Sequence, residues 1–126
     1  MANISKNNII TVNRGDSFKL PFKVKIGDAT VNNIQYDLQP GDFLYFAVME
    51  GNQKWEDAII KKAYTYEDYD YIYHEALIRF EIEDTEYLIP GTYYYQIKLY
   101  RPKENAVDGF EAVDTVMPRT KFIILP

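Results

Sequence analysis

His74 is the only histidine in a chain of 126 residues that contains no cysteine. A serine triad needs an imidazole held by a carboxylate beside a presented hydroxyl, and no G-x-S-x-G stretch offers that hydroxyl. In an extended segment Glu75 points to the opposite face from His74, so the two do not act as a pair. One histidine and no thiol leave no multi-histidine or thiolate metal centre. Carboxylates are plentiful, from Glu67, Asp68 and Asp70 through Glu75, Glu81, Glu83, Asp84 and Glu86. Glycoside hydrolysis needs two carboxyls at a set separation across a cleft, which abundance alone does not supply. Glu67, Asp68 and Asp70 also lack the D-x-D-x-D-G spacing of a calcium loop. The glycines fall singly at turns and form no phosphate cradle. The expectation is a protein that is not an enzyme and carries no cofactor or metal.

Tyrosine is the residue type in surplus: twelve of them, with seven phenylalanines and one tryptophan. Tyr64, Tyr66, Tyr69, Tyr71 and Tyr73 crowd into ten positions. If that segment is extended, Tyr69, Tyr71 and Tyr73 share one side. Such a row can stack on sugar rings beside carboxylates, serve a protein interface, or pack within its own hairpin. In TYYYQIKLY, residues 92–100, Tyr93, Tyr95, Ile97 and Leu99 form the apolar face, which leaves Tyr94 and Tyr100 as the displayed rings. Tyr93 has a more particular place. The run Leu88-Ile89-Pro90-Gly91-Thr92-Tyr93 has the spacing of a tyrosine corner, whose hydroxyl bonds to backbone a few residues upstream.

The elements that must position these residues read as strands. Phe18, Leu20, Phe22, Val24 and Ile26 alternate with polar positions, as in a strand half buried on a sheet. Pro21 lacks an N–H and places that strand at an edge or a bulge. Residues 9–12 and TVNNIQYDL, 30–38, are expected to form further strands, and FLYFAVME, 43–50, is apolar on both faces and therefore central. A loop and then a strand are expected over 53–63, a strand through 76–84, and a last strand in RTKFIIL after a long turn. Arg14-Gly15-Asp16 is a strand junction, with Gly15 bending and Asp16 bonding nearby N–H groups. Together these give one domain, all-β, an immunoglobulin-like β-sandwich of about seven or eight short antiparallel strands.

The formal charge is −5, from 14 basic and 19 acidic residues. Lys61-Lys62 is the only adjacent basic pair, and no basic patch shows in the linear sequence, so nucleic acid is not an expected partner. No apolar run approaches transmembrane length, and the first residues do not read as a signal peptide. Neither a membrane nor secretion is expected.

Several stretches resemble a known family. NRGDSFKLPFKV (13–24), PGDFLYFAV (40–48), Ile60-Lys61 and FEIEDTEYLIPGTYYYQIKLY (80–100) are similar to the N-terminal β-sandwich domain of upper baseplate proteins of tailed phages of Gram-positive bacteria, also seen in stand-alone prophage tail proteins. The resemblance implies that Gly15 and Asp16 form the first strand junction and that Gly41 and Asp42 start the central hairpin. Asp84 and Thr85 would cap the turn leading to Leu88, Gly91 and Tyr93. It further implies a non-catalytic structural protein of the virion, made in the bacterial cytoplasm, whose partners are tail or baseplate proteins or further copies of itself.

Overall fold

The computed structural model describes residues 3–26, 34–102 and 110–126. Among them the chain runs β1 (Asn3–Ile4), β2 (Ile10–Asn13), β3 (Phe18–Phe22), β4 (Lys25–Ile26), β5 (Ile34–Gln35) and β6 (Phe43–Met49). A single 3-10 turn (Trp55–Asp57) leads to β7 (Ile60–Tyr64), and another (Tyr66–Asp68) leads to β8 (Tyr69–Asp70) and β9 (Glu75–Phe80). One turn of helix, α1 (Ile82–Thr85), precedes the two long strands β10 (Gly91–Pro102) and β11 (Phe110–Leu125).

The strands form a six-stranded sheet ordered β1-β2-β11-β10-β6-β7, a three-stranded sheet ordered β3-β9-β8, and the small β4-β5 pair. Aromatic rings from the two larger sheets meet across one core. Phe80 of β9 stacks on Phe122 of β11 at 5.6 Å and meets Phe46 of β6 edge-on at 5.6 Å. Phe22 of β3 approaches Tyr95 of β10 at 6.2 Å. Three strands facing six make a curled, open half-barrel rather than a closed sandwich.

Alternation sets the faces. Leu44, Phe46 and Val48 point into the core, as do Tyr93, Tyr95, Ile97 and Leu99, and all are buried. β6 lies between β10 and β7, an interior position in keeping with its apolar sequence. β3 lies at the edge of its sheet, where the absent N–H of Pro21 costs no further ladder bond.

Three expectations need correction. β2 pairs with β11 in parallel, Phe122 beside Ile10 through Leu125 beside Asn13, so the strands are not all antiparallel. β10 and β11 have 12 and 16 residues, not the short lengths expected. The strand through 76–84 stops at Phe80. There Asp84 Oδ2 accepts the Glu81 N–H at 2.7 Å, turning the chain into α1 and leaving Ile82 half exposed rather than in the core. The strand expected within 30–38 is described only at Ile34–Gln35; residues 27–33, and 103–109 of the last long turn, lie outside the described residues.

Pro118 interrupts the β10–β11 ladder, whose register shifts between the Tyr95 and Ile97 pairs. The bulge sends Arg119 across the sheet. Its guanidinium donates to the carbonyls of Glu50 (2.8 Å), Gly51 (2.9 Å) and Gln53 (3.0 Å) and lies 4.9 Å from the Tyr94 ring centre. The planar fork ties the β6–β7 turn to β11 in a way that an ammonium would not reproduce.

Candidate functional site

The corner is present in its geometry. The Tyr93 ring is 7% exposed, and its hydroxyl donates to the Ile89 carbonyl at 2.6 Å. Thr85, fully buried, accepts the Gly15 N–H on Oγ1 at 2.8 Å and takes the Leu88 N–H on its carbonyl at 3.0 Å. The first strand junction and the turn into β10 are thereby fastened together. Asp16 donates its N–H to the Asn13 carbonyl at 3.2 Å. Asp84 also pairs with Lys62 at 2.5 Å, joining α1 to the edge strand β7.

Gly41 has φ +95°, and a Cβ there would stand 3.1 Å from Pro102 Cγ, so both the backbone and the close approach call for glycine. Asp42 next to it is 1% exposed and accepts two bonds on Oδ2, from the Tyr36 hydroxyl (2.6 Å) and the Gln39 N–H (2.8 Å). A buried carboxylate so bonded is not a stranded charge.

The tyrosine row does not form. Tyr64 and Tyr69 are buried at 6% exposure, because the 3-10 turn over Tyr66–Asp68 breaks the alternation on which an outward row depends. The Tyr64 hydroxyl accepts the Arg79 N–H at 3.0 Å. Tyr69 donates to Asp37 at 2.7 Å, and Tyr71, edge-on to Tyr69, donates to the Leu38 carbonyl. Tyr66, Tyr71 and Tyr73 are exposed, while Tyr94 and Tyr100 are half-buried, the latter edge-on to Tyr45 at 5.0 Å. The neighbouring carboxylates serve turns: Asp68 accepts the Thr65 N–H, and Asp70 accepts those of Ile72 and Tyr73. Among the described residues no group of three or more His, Asp or Glu stands where it would hold a metal ion.

His74 sits at φ +56°, and its Nδ1 lies 3.0 Å from Asp37 Oδ1. Sequence adjacency to Glu75 gave no sign of this partner 37 residues away. The same carboxylate also accepts the Tyr69 hydroxyl at 2.7 Å. The Tyr69 bond, and after it His74, hold the Asp37 carboxyl below the usual carboxylate range. Its contribution to stability is therefore present above the ordinary carboxylate pKa and lost as pH falls through the lower folded value.

The phenols shift the other way. Burial pushes Tyr64 up to about 12. Burial first, then Asp42 and Asp37 respectively, raises Tyr36 and Tyr69, and burial raises Tyr95. The unfolded chain ionises near pH 10, before these folded phenols, so the stability they contribute is whole below about pH 10 and falls as pH rises beyond it. Urea midpoints followed upward in pH are expected to drop above about pH 10, with phenolate absorbance from these rings appearing as the chain unfolds. A urea midpoint that stays unchanged as pH rises through about 12 would contradict the burial.

Exposed apolar side chains cluster at two turns. Tyr87 is 87% exposed and Ile89 78%, beside Ile82 at 50%; at the β8–β9 turn Ile72 is 84% exposed, next to Tyr73. A third feature is a groove on the outer face of the six-stranded sheet, lined by Tyr45, Ala47, Trp55, Lys61 and Tyr100. Neither Tyr87 nor this groove was singled out by sequence spacing. The signal for the groove is the pairing of Tyr45 with Ala63 and Lys98, which depends on register between distant strands. Compared with known proteins, the chain matches no family model, no curated protein and no solved structure.

Proposed function

We propose that this chain is a non-catalytic assembly module of a phage tail or baseplate. It docks to a neighbouring virion protein through the surface formed by Ile82, Tyr87 and Ile89. The observation that carries the reading is that three large apolar side chains within eight residues face solvent at 50%, 87% and 78% exposure. Single exposed apolar residues need no explanation, but a cluster of them is a common mark of an interaction surface. These three ride on α1 and the Tyr93 corner, whose hydrogen bonds fix the turn before any partner arrives. The corner and the two facing sheets also support the finer reading of the fold as immunoglobulin-like. The phage assignment rests on the sequence resemblance, and the route of assembly on this surface.

A carbohydrate module built on Tyr69, Tyr71 and Tyr73 needs three rings turned outward, and Tyr69 is buried. Docking is tested by co-expressing the chain with the products of the genes flanking its own and following co-elution. Tyr87→Ser with Ile89→Ser is expected to weaken a complex at least tenfold, since centrally buried aromatic anchors carry about 2 kcal/mol or more. The melting temperature should change little, because both side chains are solvent-exposed. Co-elution unaffected by the double substitution would remove this surface from the account.

A further inference from the structure

We propose that the groove on the outer face of the six-stranded sheet binds a sugar ring bearing a carboxylate or a phosphate. The inference does not depend on the assembly reading. Period two and the register of β7, β6 and β10 decide which side chains share that outer face. They are Lys61 and Ala63 from β7, Phe43, Tyr45, Ala47 and Met49 from β6, and Tyr94, Gln96, Lys98 and Tyr100 from β10. Every charge among them is positive, in a chain whose net charge is −5. Lys121 of β11 lies opposite Tyr94 and adds another. Among the described residues, Glu56 and Asp57 belong to the 3-10 turn that carries Trp55, and the Asp84 carboxylate is taken up by Lys62.

The groove itself has a volume of about 260 Å³. That is room for roughly eight or nine waters at about 30 Å³ each, enough for one substituted ring and too little for an extended oligomer. Tyr45, Trp55 and Tyr100 line it with aromatic surface, and Ala47 keeps the wall low. The Lys98 ammonium lies 4.6 Å from the centre of the Trp55 ring, a cation held at an aromatic wall. Lys61 gives one proton to the Glu56 carbonyl at 2.6 Å and retains two donors. Aromatic faces meet the C–H groups of a pyranose, while Lys61 in the groove meets its anion and Lys98, outside the lining but over the Trp55 wall, adds positive charge beside it. A single-stranded nucleic acid fits less well. Two or three lysines do not follow a run of phosphates, and the remainder of this acidic molecule repels one.

Trp55 is the only tryptophan, so its emission reports on this groove directly. The test titrates the whole chain with methyl glucuronide, glucose 6-phosphate and neutral methyl glucoside. At least one anionic sugar is expected to saturate the Trp55 signal with roughly tenfold higher affinity than the neutral one, and to lose that advantage at high salt. A preference between carboxylate and phosphate identifies the anion. Lys61→Met with Lys98→Met should bring the anionic sugars down to the neutral level while the melting temperature holds. Ala47→Leu, which fills the groove, should remove binding altogether. The proposal is overturned if no sugar saturates the signal, if the neutral sugar binds as well as the anionic ones, or if the lysine variant retains the preference. It is equally overturned if an oligothymidylate or an acidic peptide saturates Trp55 at lower concentration than every sugar.

Discussion

Phe46→Ala is expected to destabilise the fold by about 3–5 kcal/mol, a large share of the roughly 5–15 kcal/mol available to a domain of this size. The ring is fully buried and stands where the two sheets meet. It stacks on Tyr95 at 5.4 Å, meets Phe80 edge-on at 5.6 Å, and approaches Phe122 at 6.4 Å. Its removal takes a partner from each of three rings and leaves a cavity that strands on both sides, tied by their ladders, collapse into only partly. Urea denaturation should show a lowered midpoint at nearly unchanged slope. Phe46→Leu, which keeps part of the volume, should cost about 1–2 kcal/mol. A loss below 1 kcal/mol for the alanine variant would mean that the two sheets do not share this core.

Tyr93→Ala is expected to cost about 3–5 kcal/mol, and Tyr93→Phe only about 1 kcal/mol. The difference separates ring from hydroxyl. The ring is buried under its own turn, whereas the hydroxyl makes one bond, to a carbonyl on an exposed residue that water can reach once the bond is lost. The phenylalanine variant therefore tests more than stability. Without the bond to Ile89, the turn that displays Tyr87 and Ile89 is held less firmly, so docking should weaken in a protein that still folds. Comparable stability losses in both variants, with docking intact, would contradict this role for the corner.

Much of the core was legible from the sequence because alternation is a local signal. Period two places Leu20, Phe22, Tyr95 and Ile97 inward, and they lie inward. Pro21 points to an edge or a bulge because a missing donor has few places in a sheet, and β3 is an edge strand. The Tyr93 hydroxyl reaches only four residues upstream, within the range where spacing alone carries information.

What escaped the sequence was nonlocal or decided by a single turn. The parallel pairing of β2 with β11 joins the two ends of the chain, and no short-range pattern encodes it. The side chains of Asp68 and Asp84 close turns that end extended backbone, which put Tyr69 inside and Ile82 outside. The same reason hides the cationic groove. Lys61 and Lys98 are 37 positions apart by number and unremarkable in their own strands, and only the register through β6 brings them to one face. The absence of a basic run in the sequence was thus no measure of how charge is distributed over the folded surface.

The central claim, that the turn from Ile82 to Ile89 is a surface built for a neighbouring virion protein, is tested most directly by amide hydrogen exchange. Exchange would be followed in the chain alone and in its complex with a flanking gene product. Slower exchange confined chiefly to residues 82–91 on complex formation is the predicted result. A complex that leaves these amides unchanged while protecting another face, or no complex with any flanking product, would contradict it.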